Sequence, residues 1–371
     1  MKVTFPHMGN LHIVAKALLE YLDVPVVVPP PISKRTLSLG LSHSPEFACI
    51  PLKINMGNFI EAAELGANTI VMAGGVGPCR FGYYAQVERE ILKDLGYNYQ
   101  MIVVEPPDSH WSEVIEKIKL ISQGKPWWQI IGAIKFAWLK ARAVDMVEQK
   151  VQKIRARELK KGKADIIYRQ ALEHIDLAQD KQGVLKARDN ALVNLDDVPV
   201  DKDKTVLKVA VIGEIYTILE PYVNQNIEMH LGRLGVEVSR SIYLSEWIND
   251  HLFMKIFPIR STKDYIKMAT PYLGHFVGGH GQETVGSAVK YSRTGFDGAI
   301  QLAPLTCMPE IVAQSILPVV SEKENFPTMT IYFDEQTGEA GMLTRLEAFI
   351  DLLERRVDLK RSKDNEWVFG N

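Results

Sequence analysis

The chain has 371 residues, with 43 Lys and Arg against 45 Asp and Glu, giving a formal net charge of −2. So near a balance leaves no electrostatic drive toward nucleic acid or an anionic membrane, and 46% hydrophobic with 24% charged residues excludes bulk disorder. The length exceeds what one core usually serves, so two or three domains are expected.

The first residues, Met1 to Pro6, read as a strand rather than as a signal peptide, which points to the cytoplasm. Lys2–Phe5 is a short apolar strand, and Leu11 to Leu22 carries apolar residues at helical spacing. Val24 to Val28 is a β-branched run stopped by Pro29-Pro30-Pro31. Phe59 to Leu65 reads as an amphipathic helix, Thr69–Ala73 as a strand closed by Gly74-Gly75, and Tyr84 to Leu95 as another helix. Met101–Val104 is a strand ended by Pro106-Pro107. Strands alternating with helices predict βαβ units and a mostly parallel sheet.

Strand signals vanish between Trp111 and about Leu185. The most apolar stretch, Trp127 to Leu139, is 13 residues long and contains Lys135, too short to span a bilayer. Lys135 to Lys163 carries ten Lys and Arg against three acids. It reads either as a solvated helical face or as a docking surface for an acidic partner or for substrate phosphates. Asp196 to Lys204 reads as a linker.

A second α/β unit follows. Val206 to Ile212 is a strand, Tyr222 to Leu234 a helix ended by Gly235, and Val236–Leu244, Ala299–Leu302 and Met329–Phe333 are further strands. A helix from about Gly341 to Arg355 closes the folded part, ahead of a polar, frayed end. The expectation is an α/β fold of two Rossmann- or flavodoxin-like domains with mostly parallel sheets and a helical segment between them. The predicted boundaries are 1–110, 111–200 for the helical segment and linker, 201–357, and a polar tail over 358–371.

Cys49, Cys79 and Cys307 are the only cysteines, too few and too odd in number for a disulfide framework. Cys49 and Cys307 both occur as Cys-x-Pro before a helix-period segment, and Cys79 lies in Gly77-Pro78-Cys79-Arg80 between a strand and a helix. Each is therefore placed in a loop entering a helix N-terminus, where the helix dipole favours thiolate. Ligand sites in open α/β sheets gather at the carboxyl ends of strands, so three thiols placed alike can converge between two such units. Three thiolates leave one position of an iron–sulfur cubane open. A zinc Cys₃His site is the competing assignment, with His43, His275 or His280 as fourth ligand. Three unrelated buried thiols are the plain alternative.

Other segments carry weaker signals. Gly74, Gly75 and Gly77 lack the rest of a dinucleotide fingerprint and read as allowing close backbone approach to whatever Cys79 holds. There is no Walker A pattern. His280, in Gly278-Gly279-His280-Gly281, reads as a turn residue or as a proton donor or phosphate contact. Glu214, at the end of a strand, is a candidate for proton transfer. Arg80 is a candidate neighbour of the bound group.

Cys49-Ile50-Pro51-Leu52-Lys53, Gly77-Pro78-Cys79-Arg80-Phe81-Gly82-Tyr83, Gly213-Glu214-Ile215-Tyr216, Cys307-Met308-Pro309 and Asp334-Glu335-Gln336-Thr337-Gly338 together resemble the 2-hydroxyacyl-CoA dehydratase D-component superfamily. The likeness is to its activase-related branch, which includes relatives of the double-cubane cluster proteins. It runs from about residue 1 to 357 and is weakest in the helical middle. It implies a [4Fe–4S] cluster held by Cys49, Cys79 and Cys307 between two domains. The implied partner is an ATP-hydrolysing iron–sulfur activator supplying single low-potential electrons. The implied chemistry is ketyl-radical dehydration of a 2-hydroxyacyl-CoA, or reduction of a related small molecule. The cysteines suffice for one cubane, so a bridged double cubane requires a second chain, either a homologous subunit or a second copy. A non-catalytic relay, maturation or scaffold subunit is the alternative from a different class.

Overall fold

The computed structural model describes residues 1–75, 77–105, 111–250 and 262–368. Val76, between Gly75 and Gly77, and the strand-ending Pro106-Pro107 lie outside the described residues. The protein is α/β, with two parallel sheets. The first contains β1 (Val3–Thr4), β2 (Thr69–Ala73) and β3 (Gln100–Val104) in that order, and Val26 bridges the free side of Val3. The second contains β4 (Lys208–Gly213), β5 (Glu237–Arg240), β6 (Gly298–Pro304) and β7 (Thr328–Phe333), in the order β5-β4-β6-β7. Counting the Val26 bridge, both sheets share one pattern: the first strand is central, the second lies on one side, and the third and fourth on the other.

Fifteen helices are described. Around the first sheet are α1 (Leu11–Tyr21), α2 (Lys34–His43), α3 (Ile50–Glu64) and α4 (Tyr84–Asp94). The middle contributes α5 (Trp111–Ile121), α6 (Trp127–Arg155), α7 (Lys163–Leu177) and α8 (Lys181–Asp196). The second sheet carries α9 (Ile215–Leu219), α10 (Ile227–Arg233), α11 (Leu244–Ile248), α12 (Thr262–Ala269), α13 (Gly281–Ser292), α14 (Met308–Lys323) and α15 (Glu339–Val368).

Alternation along β4 explains how the second sheet is wrapped. Val209 and Val211 face a core completed by Leu231, Leu346, Phe349 and Leu353, from α10 and α15. Ala210 and Ile212 face the other way, onto Val285, Val289, Ala313 and Leu317 of α13 and α14. Every residue of β6 is buried, as expected of a central parallel strand covered on both faces.

The structure departs from the sequence reading in several places. α2 was unanticipated, although Ser33 and Thr36 form a reciprocal capping box at its start. The helix expected at Phe59–Leu65 begins at Ile50. The helix expected at Tyr222–Leu234 is shortened to α10, which starts only at Ile227 because Gln225 and Asn226 adopt φ of 54° and 56°. The final helix continues to Val368 rather than fraying after Arg355. The Asp196–Lys204 segment is pinned by Leu159 N–H to Pro199 O and Asp201 N–H to Arg157 O, at 3.0 and 2.9 Å. No helix among the described residues is long and apolar enough to cross a membrane.

Much of the basic stretch is engaged internally. Lys140 is 3% exposed and donates to the Asp176 carbonyl. Arg155 and Arg157 pair with Asp165 and Glu237, both at 2.6 Å, and Lys150 pairs with Asp196. Lys161 reaches the carbonyls of Arg155 and Gly232.

Candidate metal centre

All three cysteines occupy the position immediately before a helix. Cys49 precedes α3 and Cys307 precedes α14, each followed by a proline in the first turn. Cys79 precedes a single 3-10 turn, Arg80–Tyr83, that runs into α4. Proline suits that first turn because its fixed φ is helical and its missing N–H would be unpaired there. Cys79 and Cys307 thus follow β2 and β6, at the carboxyl ends of the two sheets.

The three loops meet. Arg80 donates from Nη1 to the Phe47 carbonyl at 2.9 Å, and from Nη2 to the carbonyl and hydroxyl of Thr306 at 2.9 and 2.6 Å. One side chain therefore ties the Cys79 turn to the segments just before Cys49 and Cys307. The fork geometry of guanidinium permits this spread of acceptors. The Thr306 hydroxyl faces the Phe47 carbonyl at 3.4 Å. Farther back, Lys53 of α3 meets the Glu335 carboxylate at 2.9 Å to both oxygens, joining the Cys49 helix to the loop after β7.

The thiols lie close enough to influence one another. Cys79 acts electrostatically on Cys49 and on Cys307, and Glu214 acts on all three. The expected lowering of thiol pKa by the helix termini is overturned. Burial dominates and pushes Cys49 up to about 11, with Cys79 and Cys307 also raised. The Glu310 amide opposes the rise at Cys307 without closing a capping bond. Without a bound metal, these are thiols rather than thiolates at neutral pH. Tyr84 places its hydroxyl against Cys49 Sγ.

Glu214 caps α9. Its carboxylate accepts from the Tyr216 and Thr217 amides at 3.0 and 2.9 Å and from the Thr217 hydroxyl at 2.9 Å. Burial still lifts its pKa above the ordinary range. His280 stands at the start of α13, with Nε2 4.0 Å from Glu283.

The three glycines of the Cys79 loop face protein atoms on their Cβ side. A Cβ on Gly74 would fall 2.3 Å from Glu105 Cγ, on Gly75 2.8 Å from Phe81, and on Gly77 2.8 Å from Phe276. Protein atoms crowd these three. At Gly279, with φ +45°, a Cβ would stand 3.8 Å from Cys79 Sγ. Sequence reasoning also passed over Tyr84, Thr306 and Glu310. Glu310 is fully buried one turn into α14, bonded to Gln301 and Thr284, and raised by burial to about 7.

At the carboxyl end of β4 opens a small cleft lined by Gly213, Ser241, Glu246, Asp250, Tyr265 and Glu283, among others. None of its described lining residues is basic. Among the described residues, no group of three His, Cys, Asp or Glu side chains could hold a single metal ion. His43 is exposed at the end of α2, and His275 is exposed ahead of α13.

Compared with protein-family models and with curated proteins, the chain matches none of either.

Proposed function

We propose that this chain is an iron–sulfur protein of the 2-hydroxyacyl-CoA dehydratase kind, built of two flavodoxin-like halves with a [4Fe–4S] cluster between them. It would receive single electrons from a separate ATP-hydrolysing iron–sulfur activator and act reductively on a small substrate. The observation that carries this reading is the meeting of three cysteine loops, each entering a helix, under the one side chain of Arg80.

Two features support a cubane over mononuclear zinc. A zinc ion bound at about 2.3 Å brings its thiolates within about 4 Å of each other, and no ready group of that kind exists among the described residues. Cubane ligands sit on separate irons and stand farther apart. The glycine at position 279 leaves space against the Cys79 sulfur.

Cys49, Cys79 and Cys307 would hold the cluster, whose chemistry is one-electron reduction of a neighbouring substrate. Arg80 keeps the three loops in register. Glu214 fixes the start of α9 at the cleft wall. The described lining of the cleft at the end of β4 is acidic, which would favour a neutral or cationic group there.

Anaerobic purification followed by iron, sulfide and zinc analysis tests the proposal. Iron and acid-labile sulfide in comparable amounts support it, whereas one equivalent of zinc without sulfide overturns it. A cluster-bearing chain that reacts with no substrate in the presence of an activator and ATP would leave it as a relay or scaffold.

A further inference from the structure

Tyr84 stands at the head of α4, straight after the turn that Cys79 opens, and its hydroxyl meets Cys49 Sγ at the head of α3. The residue is 4% exposed. Its ring packs in one apolar cluster with Leu52, Met56 and Phe81, and the Phe81 ring stands edge-on to it at 5.2 Å and 68°. A hydroxyl so buried needs a hydrogen-bond partner. Among the described residues, Cys49 Sγ is the partner it has.

The backbone explains why Cys49 is served by a side chain. A residue just ahead of a helix reaches the amides two and three positions on. Here the first of these is Pro51, which has no N–H, and the Leu52 N–H is taken by the Cys49 carbonyl at 3.1 Å. The other two thiols are served by the main chain: the Phe81 amide favours thiolate at Cys79, and the Glu310 amide does so at Cys307. Tyr84 supplies at Cys49 what amides supply at its neighbours.

The direction of the bond follows from the chemistry of a metal ligand. A ligating cysteine is a thiolate and can only accept, so the Tyr84 hydroxyl donates, in a charge-assisted bond. An added electron raises the negative charge on the sulfurs of a cluster. A hydrogen bond donated to one of them strengthens with that charge and favours the reduced state.

We propose that Tyr84 is a positioning residue of the thiol centre, whose hydroxyl orients Cys49 and, by donating to its sulfur, makes a cluster held there easier to reduce. The hydrogen bond stands on the packing alone, while its effect on reduction rests on the reading of the centre as an iron–sulfur site. No proton leaves the hydroxyl, and no bond other than this hydrogen bond is involved.

Infrared spectroscopy of the metal-free full chain at neutral pH tests the hydrogen bond without any cluster. The S–H stretching band that is lost in Cys49→Ser should move in Tyr84→Phe, which keeps the ring against Phe81 and removes only the hydroxyl. A band unmoved in Tyr84→Phe overturns the contact. If Tyr84→Phe does not fold, the Raman tyrosine doublet, which reports hydroxyl donation, must change in Cys49→Ala, and an unchanged doublet overturns the contact equally. In the iron-loaded protein, Tyr84→Phe should shift the one-electron equilibrium toward the oxidised state by about tenfold, a fall in potential of about 59 mV, at unchanged iron and sulfide content. An unchanged or raised potential overturns the effect on reduction. So does a loss of iron in Tyr84→Phe, since the hydroxyl would then hold the cluster rather than tune it. Wild-type protein that binds no iron would instead defeat the functional reading, with the infrared result still deciding the hydrogen bond.

Discussion

Replacing Arg80 by alanine removes three hydrogen bonds that join the Cys79 turn to Phe47 and Thr306, at 2.9, 2.9 and 2.6 Å. Each such bond contributes about 0.5–1.5 kcal/mol net. Arg80 is exposed, so the lower end applies, and the three together amount to about 1.5 kcal/mol. That corresponds to roughly a tenfold rise in the population of opened loops. The readout is the labelling of the metal-free protein by a thiol reagent, since Cys307 is buried and Cys49 half-buried while the loops are joined. Arg80→Ala should speed labelling of both about tenfold. Arg80→Lys should fall between, because an ammonium cannot span Phe47 and Thr306 as the guanidinium fork does. Labelling rates equal to wild type would refute the argument. So would a loss of global stability matching the gain in labelling, since the arginine would then be holding the fold rather than the loops.

Cys307→Ser should remove the iron while sparing the fold, because no fourth cysteine can replace the lost ligand; unchanged iron and sulfide content would exclude Cys307 as a ligand. Gly279→Ala places a methyl group 3.8 Å from Cys79 Sγ and 3.2 Å from Pro309, at a positive φ that L-residues avoid at a cost of about 1–2 kcal/mol. It should weaken iron retention against a chelator, and retention equal to wild type would place the cluster elsewhere. Burial, with Asp250 and Glu310 adding to it, lifts Glu283 to about 8, and burial lifts Glu310 to about 7. Raised folded values mean that their stabilisation is complete below the ordinary carboxylate value and is lost as pH rises through about 7 to 8. The metal-free protein should therefore melt higher at about pH 6 than at about pH 8.5, and Glu283→Gln should flatten the upper part of that slope. A melting temperature that rises over this interval would contradict the burial argument. Since the thiols are also raised, reconstitution with iron and sulfide should release protons, which a weakly buffered titration would detect.

The strands were legible because their runs are apolar, β-branched and closed by glycine or proline. Thr69–Ala73 was placed to the residue, and β4, β6 and β7 to within a few. α3 was seen only in its second half. Its first turns hold Lys53, Asn55 and Asn58, which look like surface residues, yet all three are buried. No amphipathic stripe marks a helix enclosed on every side. The cysteine positions followed from proline placement, a local signal. Their pKa direction did not, because desolvation depends on what the rest of the chain packs over them. Arg80 was singled out only as a neighbour. Two of its three acceptors are backbone carbonyls 33 and 226 residues away, and carbonyls leave no trace in sequence.

One apolar cluster contains Val14 of α1, Ile50 and Ile54 of α3, and Ala137 and Ala141 of α6, together with Val209, Val211, Ile300 and Leu302 of the second sheet. Near it the backbones themselves touch: a Cβ on Gly9 would fall 2.2 Å from the Leu219 carbonyl oxygen. A jaw-like opening between the sheets would tear this shared interior and wet it, so the cleft does not breathe as a clam. Among the described residues, the Phe276–Gly281 turn lies over Gly77 and Cys79. A probe approaching Cys79 from outside therefore meets a turn a few residues wide, while the frame behind it, sewn together by this shared interior, stays rigid.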